Sequence, residues 1–232
     1  MLKIDSYMPL YKKVNKDFFK VWTHNMAYVL GFFAADGNLI QTKRETHYFA
    51  IQITDKDLVH KIKTVMGSDH TISKRVRIGN NKELYRLQIG SKEIFEDLIA
   101  LGFPPQKTKR LTLPNIPQKF LSDFVRGYFD GDGNVWSGYT NRSRKKPTLA
   151  FQLAFTSCSE SFLKEIQKEV LFFTESLGSL YEKKNEKCFV LRYSTIPALK
   201  FYNFMYNRVD ISEDLFLERK MKVFENYMKL RS

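Results

Sequence analysis

A chain of 232 residues with 43% hydrophobic side chains has enough apolar material for one large core or two small ones. Its 38 Lys and Arg against 25 Asp and Glu give a formal net charge of +13 at pH 7, which points to a polyanionic partner. No run of about 18 apolar residues is present to span a bilayer. The segment Met1–Lys13 lacks the apolar centre of a secretory leader, and Cys158 and Cys188 form neither a disulfide framework nor a zinc spacing. The two cysteines read as buried free thiols of an intracellular protein.

Taken in chain order, residues 26–36 read as a short apolar helix, closed by Gly37 at a position where a positive φ is wanted. A strand follows over Tyr48–Thr54 and a helix over Asp57–Met66. The hairpin Thr71–Arg77 with Glu83–Ile89 turns at Gly79-Asn80-Asn81, and a helix is capped near Ser91. The stretch 111–117, with Pro114 and Pro117, stops the helical pattern and divides a first half, 1–113, from a second, 114–232. The second half repeats the order: a helix over 122–132 closed by Gly133, a strand Leu149–Thr156, and a helix Glu160–Leu171. A hairpin Ser179–Lys183 with Cys188–Tyr193 turns near Asn185, and a helix is capped near Thr195. Each half is an α+β unit that runs helix, strands, helix, strands, helix.

The repeat extends to individual residues. Val29, Gly31, Phe33, Asp36, Gly37 and Asn38 recur 96 positions later as Val125, Gly127, Phe129, Asp132, Gly133 and Asn134. Gly31 with Ala35, and Gly127 with Gly131, are four apart and share a helix face, so two such helices can pack with their backbones close. Parallel packing brings Asp36 and Asp132 together at the negative ends of both helix dipoles. Two carboxylates so placed repel unless a cation lies between them, and a hard divalent ion, Mg²⁺ first, fits oxygen donors. Next to a basic surface, that chemistry points to phosphodiester hydrolysis.

The segments Val29-Leu-Gly-Phe-Phe-Ala-Ala-Asp-Gly37 and Val125-Arg-Gly-Tyr-Phe-Asp-Gly-Asp-Gly133 resemble the paired motifs of single-chain LAGLIDADG homing endonucleases, over nearly the whole chain. The first copy departs at Ala34, where the family often has Asp. The last acidic position is the family's metal ligand, so the departure leaves that role to Asp36 and Asp132. The resemblance implies two pseudo-symmetric αββαββα halves, motif helices at their interface, and antiparallel sheets forming a DNA-facing saddle. It also implies monomeric cleavage of a long, asymmetric duplex site with Mg²⁺ or Mn²⁺, and binding without cleavage in Ca²⁺. Metal ligands are then Asp36 and Asp132, with the backbone at Ala35 and Gly131 as further donors. The family has a lysine beyond the last helix of each half, and Lys107 and Lys220 occupy similar places. Asp55 and Ser159 fall where the family often has a polar residue of the water network, although helix capping accounts for both. The implied setting is a bacterial or phage cytoplasm, or an organelle.

Contact with DNA is expected from alternate strand residues, which line one face of a sheet. In the first half these are Gln41, Lys43, Arg44, Gln52, Lys74, Arg75, Arg77, Arg86 and Gln88. In the second they are Trp136, Tyr139, Gln152, Lys183, Lys184 and Arg192, with Arg142, Arg144, Lys145 and Lys146 of a basic loop suited to phosphates. The four histidines show no metal spacing. Two other functions compete: a non-cutting binder, repressor or intron maturase, on the same fold, and the endonuclease part of an intein. Paired acids beside DNA phosphates have no use in a pure binder, and the expected intein splicing residues are missing from the two ends.

Overall fold

The computed structural model describes residues 12–76, 83–141, 143, 145–184, 186–209 and 214–231. Arg77, Arg142, Arg144 and the turn residues Gly79, Asn80, Asn81 and Asn185 lie outside that set. The first half runs α1 (His24–Asp36), β1 (Gly37–Gln41), β2 (His47–Ile53), α2 (Lys56–Val65), β3 (Ile72–Val76), β4 (Glu83–Gly90) and α3 (Lys92–Ala100). The second runs α4 (Leu121–Asp132), β5 (Gly133–Thr140), β6 (Thr148–Ser157), α5 (Glu160–Thr174), β7 (Ser179–Glu182), β8 (Phe189–Ser194) and α6 (Thr195–Tyr206). A further helix, α7 (Glu218–Lys229), has no helical equivalent in the first half, where a single 3₁₀ turn at Lys107–Lys109 stands in its place. The four-stranded antiparallel sheets have the orders β1-β2-β4-β3 and β5-β6-β8-β7. The repeat therefore continues into register: Gly37 pairs with Ile51, and Gly133 with Phe155.

Local sequence sets the helix starts. Thr23, Asp55 and Ser91 each accept a bond from the backbone N–H three residues on, at 3.1, 2.9 and 3.2 Å. Thr195 is not a cap but the first residue of α6; its hydroxyl donates instead to the Phe151 carbonyl across the sheet. Helix α1 is buried along nearly its whole length, as a helix apolar around its circumference must be. Phe33 stacks on Phe49 at 5.2 Å and Phe129 meets Phe155 edge-on at 5.8 Å, so each motif helix is fastened to its own sheet.

Glycine decides how closely the two motif helices approach. A Cβ on Gly31 would overlap the Phe124 carbonyl oxygen and stand 2.8 Å from its carbon, and one on Gly127 would stand 2.8 Å from the Phe32 nitrogen. The small-residue face read from the sequence is thus a backbone-on-backbone contact. The reason for Gly37 and Gly133 is different from the one expected. Both are extended, with φ of −86°, so no positive φ is needed. A Cβ at either would run into the ring and backbone of Phe33 or Phe129 one turn earlier, so it is space that excludes a side chain.

The reading of two free thiols is also corrected. Pairing of Ser157 with Phe189 carries Cys158 opposite Cys188 at the next position, and the two are joined by a disulfide. Thirty residues of sequence separate them, and only the strand register shows that they are neighbours.

Polar side chains tie α4 to the chain leading into α7. Arg126 donates to the Leu215 carbonyl (3.1 Å), the Met205 carbonyl (2.8 Å) and Asp123 (2.8 Å), and Asp123 also meets His24 of α1 at 2.7 Å. Asp130 accepts from the Tyr28 hydroxyl at 2.7 Å and from the Leu217 N–H at 2.8 Å, holding the N-terminus of α7 against both motif helices. At the positions equivalent by the repeat, Phe124 faces in place of Tyr28 and Ala34 replaces Asp130. The polar latch therefore exists on one side only, and the loss of Asp at position 34 is matched by the loss of its hydroxyl partner.

Candidate active site

Asp36 and Asp132 are the last residues of α1 and α4, and the packing of those helices puts the two acids side by side. The Cβ that Gly131 lacks would stand 3.5 Å from the Asp36 carboxylate, so each helix gives the other's acid room beside its backbone. Both carboxylates reach solvent from the floor of a concave surface. Crowding by protein raises both above the ordinary carboxylate range, and the neighbouring Asp36 charge adds to the effect on Asp132, which is pushed up to about 6. The charged pair is therefore held at a cost that a cation between the acids relieves.

Lys107 and Lys220 are buried beneath the acids, 7% and 5% exposed. Lys107 donates to the Gly37 carbonyl at 2.6 Å and lies 5.0 Å from the centre of the Phe33 ring. Lys220 donates to the carbonyls of Phe129 (2.5 Å), Asp130 (2.9 Å) and Gly133 (2.6 Å), and lies 4.8 Å from the Phe129 ring. Both ammonium groups thus bond backbone carbonyls where a motif helix gives way to a strand. Burial lowers each to about 8, opposed by Asp132 and Asp36 for Lys107 and by Asp130 first for Lys220. The four residues singled out from the sequence converge on one place.

Asp55 and Ser159 act as helix caps. Ser159 is in addition fully engaged, donating to the Leu111 carbonyl at 2.7 Å. With the 2.6 Å bond from the Leu113 N–H to Glu165, it straps the 111–117 segment onto α5. Among the described residues, no group of three or more His, Cys, Asp or Glu is placed to hold a metal. Beside the paired acids, Asp130 also lines the hollow of Asp36, engaged with the Tyr28 hydroxyl and the Leu217 N–H.

The strand residues divide by parity. Opposite the face that carries Phe49, Ile51 and Leu87 lie Gln52, Arg75, Arg86 and Gln88, and in the second sheet Trp136, Gln152 and Arg192 share the corresponding face. Gln41 and Lys74 fall on the other parity, with Leu39 and Tyr85 respectively, and Lys74 is ion-paired with Glu83. Tyr139 pairs with Leu149, also on the core-side parity. These three do not join the face expected of them. Lys43 and Arg44 are exposed in the β1–β2 turn, Lys145 and Lys146 in the β5–β6 loop, and Lys183, bonded to Glu186 at 2.7 Å, sits with Lys184 in the turn after β7. Sequence reasoning passed over Asn38 and Asn134, which open the solvent faces of β1 and β5. It also missed Tyr181, over whose ring Arg192 lies at 5.1 Å, although strand alternation was enough to find all three. It missed Arg219 as well, which lines the hollow holding Asp36.

Comparison with known proteins bears on the fold. Residues 23–100 match the family model described as a LAGLIDADG-like domain. An uncharacterized protein, MJ0398, of Methanocaldococcus jannaschii is 28% identical over 116 residues, a match that takes in 48% of this chain and only 40% of that protein. Among solved structures, the homing endonuclease I-WcaI bound to its DNA recognition sequence superposes with a TM-score of 0.58 at 16% identity, covering 89% of this chain and 91% of that one. The meganuclease I-SmaMI bound to uncleaved DNA target with calcium ions gives 0.58 at 13% identity, covering 90% of each chain. The I-LtrWI enzyme bound to target DNA gives 0.57 at 13% identity, covering 93% of this chain and 90% of that one. At such identities the structures share the fold.

Proposed function

We propose, for a chain whose residues 23–100 match a LAGLIDADG-like domain, site-specific hydrolysis of both strands of duplex DNA. The observation that carries this reading is the juxtaposition of Asp36 and Asp132 over two buried lysines. Two carboxylates whose charge is made costly by crowding are useless to a module that only binds DNA, and they repel its phosphates.

Duplex DNA lies against the outward faces of the two sheets in this reading. Arg75, Arg86, Gln88, Gln52, Gln152 and Arg192 meet base edges or phosphates, and Lys43, Arg44, Lys145 and Lys146 meet the backbone. The strand residues of the two halves differ, Gln88 standing where the second sheet has Arg192 and Arg86 where it has Val190, so one chain reads an asymmetric site as a monomer. Asp36 and Asp132 hold the divalent ion, Mg²⁺ or Mn²⁺, with backbone at Ala35 and Gly131, and their exposed oxygens fit a hard cation. Such an ion, when bound, stabilises charge on the phosphate and makes water more acidic. Lys107 and Lys220 fix the helix-to-strand junctions that aim the acids, and place positive charge behind the phosphates. Ca²⁺ supports binding without cutting.

A randomised duplex library incubated with the protein and Mg²⁺, with the new ends sequenced, tests the reading. Ends clustered on one asymmetric consensus are expected. A consensus recovered only among bound, uncut molecules contradicts cutting and leaves a binding module.

A further inference from the structure

Two hollows flank the paired acids, and the repeat makes them equivalent. One is lined by Asp36, Asp130, Gln52, Thr54 and Arg219; the other, where Ala34 stands in place of Asp130, by Asp132, Thr156, Cys158 and Lys107. The strand register sets the match, since Gly37 faces Ile51 as Gly133 faces Phe155, so that Gln52 corresponds to Thr156 and Thr54 to Cys158. The cations of the two hollows do not correspond. Arg219 precedes Lys220 in the chain, and the residue preceding Lys107 is the neutral Gln106, whose side chain does not line the second hollow.

Hydrogen-bond capacity explains why the difference matters. An ammonium group has three N–H donors. All three of Lys220 are taken by the carbonyls of Phe129, Asp130 and Gly133, so it offers electrostatic attraction but no donor to a ligand. Lys107 gives one donor to the Gly37 carbonyl and has no other acceptor among the described residues. Arg219 is exposed in the first turn of α7 and also lines the adjoining hollow with Gly133 and Asn134. Among the described residues it makes no hydrogen bond or ion pair. It lines one hollow with the Asp36 and Asp130 carboxylates without bonding either, a planar fork shaped for phosphate oxygens.

We infer that Arg219 binds the scissile phosphate of one DNA strand in the hollow beside Asp36, while Lys107 does so for the other strand beside Asp132. The two strands are therefore hydrolysed with different cations: a guanidinium on one, an ammonium on the other. In each hollow a bond forms from water oxygen to phosphorus, the bridging P–O bond breaks, and the water's proton passes to the leaving oxygen. This inference rests on the nuclease reading.

The test uses the full chain and one duplex, recovered from a randomised library by binding in Ca²⁺, with a different fluorophore on each strand. In Mg²⁺, Arg219→Ala slows one strand by on the order of 100-fold, as loss of one donor to a reacting phosphate does, and Lys107→Met slows the opposite strand. Arg219→Lys recovers part of the lost rate on the same strand. If the two variants slow the same strand, slow both equally, or slow neither, the assignment is overturned. In Ca²⁺, Arg219→Ala lowers the slope of log affinity against log salt by about 0.9, the value for one phosphate contact. That measurement needs no cleavage. A parent that cuts neither strand overturns the nuclease reading, and an unchanged salt slope overturns the phosphate contact of Arg219 separately.

Discussion

Replacement of Gly31 by alanine isolates the contact on which the site depends. The new Cβ would overlap the Phe124 carbonyl oxygen and stand 2.8 Å from its carbon and 3.0 Å from the Tyr128 nitrogen. All three obstacles are backbone, which cannot rotate out of the way. The helices must part by roughly 1 Å, and a gap of that order forfeits about a quarter to a half of the dispersion energy between facing atoms. Overpacking costs typically about 1–3 kcal/mol, and the rigid obstacles place this case at the upper end. Alanine returns about 1 kcal/mol of helix propensity, leaving a net loss of about 2 kcal/mol. Gly127→Ala meets the Phe32 nitrogen at 2.8 Å and is expected to cost as much. Since the two glycines line one contact, the double variant loses less than the sum. Urea unfolding followed by circular dichroism measures the loss, and DNA cleavage falls further than the folded fraction does because the acids move apart. A Gly31→Ala protein that is unchanged, or stabilised by about 1 kcal/mol as at an open helix position, would refute the close backbone contact.

Other parts of the fold make separate predictions. Arg126→Met leaves Asp123 buried without its guanidinium and is expected to cost about 3–5 kcal/mol; Arg126→Met with Asp123→Leu in the same chain recovers much of that in the same urea titration. Reduction of the disulfide between Cys158 and Cys188, 30 residues apart, lowers stability by about 3.5 kcal/mol on the loop-entropy relation, read as a shift in unfolding midpoint with dithiothreitol that a Cys158→Ala, Cys188→Ala double variant does not show. Burial, helped by the Lys12 charge, lowers the His70 pKa below its ordinary 6.5. The unfolded chain then takes up a proton that the folded chain refuses, so stability is unaffected well above pH 6.5 and declines below it, by at most about 1.4 kcal/mol per pH unit, a decline that His70→Asn removes.

Much of this was legible because repetition and periodicity are written in the residues themselves. The 96-residue offset located both motif helices, and small residues four apart identified the face on which they meet. Lys107 and Lys220 were found by resemblance rather than by pattern, for nothing in the sequence separates a buried lysine from the other members of so basic a chain. What stayed hidden depends on register or on distant partners. Gln41 and Tyr139 lie at or next to strand ends and Lys74 in the middle of β3, and for each an offset of one residue reverses the face. The disulfide needs β6 and β8 to be paired before its cysteines become neighbours. Nothing in the sequence marks Arg126 and Asp123 as buried, and only the Met205 and Leu215 carbonyls, 79 and 89 residues on, show why they are. Gly37 was recognised as necessary but for the wrong reason, since steric space and positive φ select the same residue.

The most direct test of the shared-acid account is to measure cutting and binding side by side in Asp36→Asn and Asp132→Asn, on the duplex selected by the parent. Asparagine keeps the shape and removes a charge from the metal-holding pair. Cleavage in Mg²⁺ is expected to fall by at least about 100-fold in each variant. Affinity in Ca²⁺ holds or rises, because a negative charge facing phosphates has gone. An Asp132→Asn protein that binds the duplex and cuts it at the parent's rate contradicts the account.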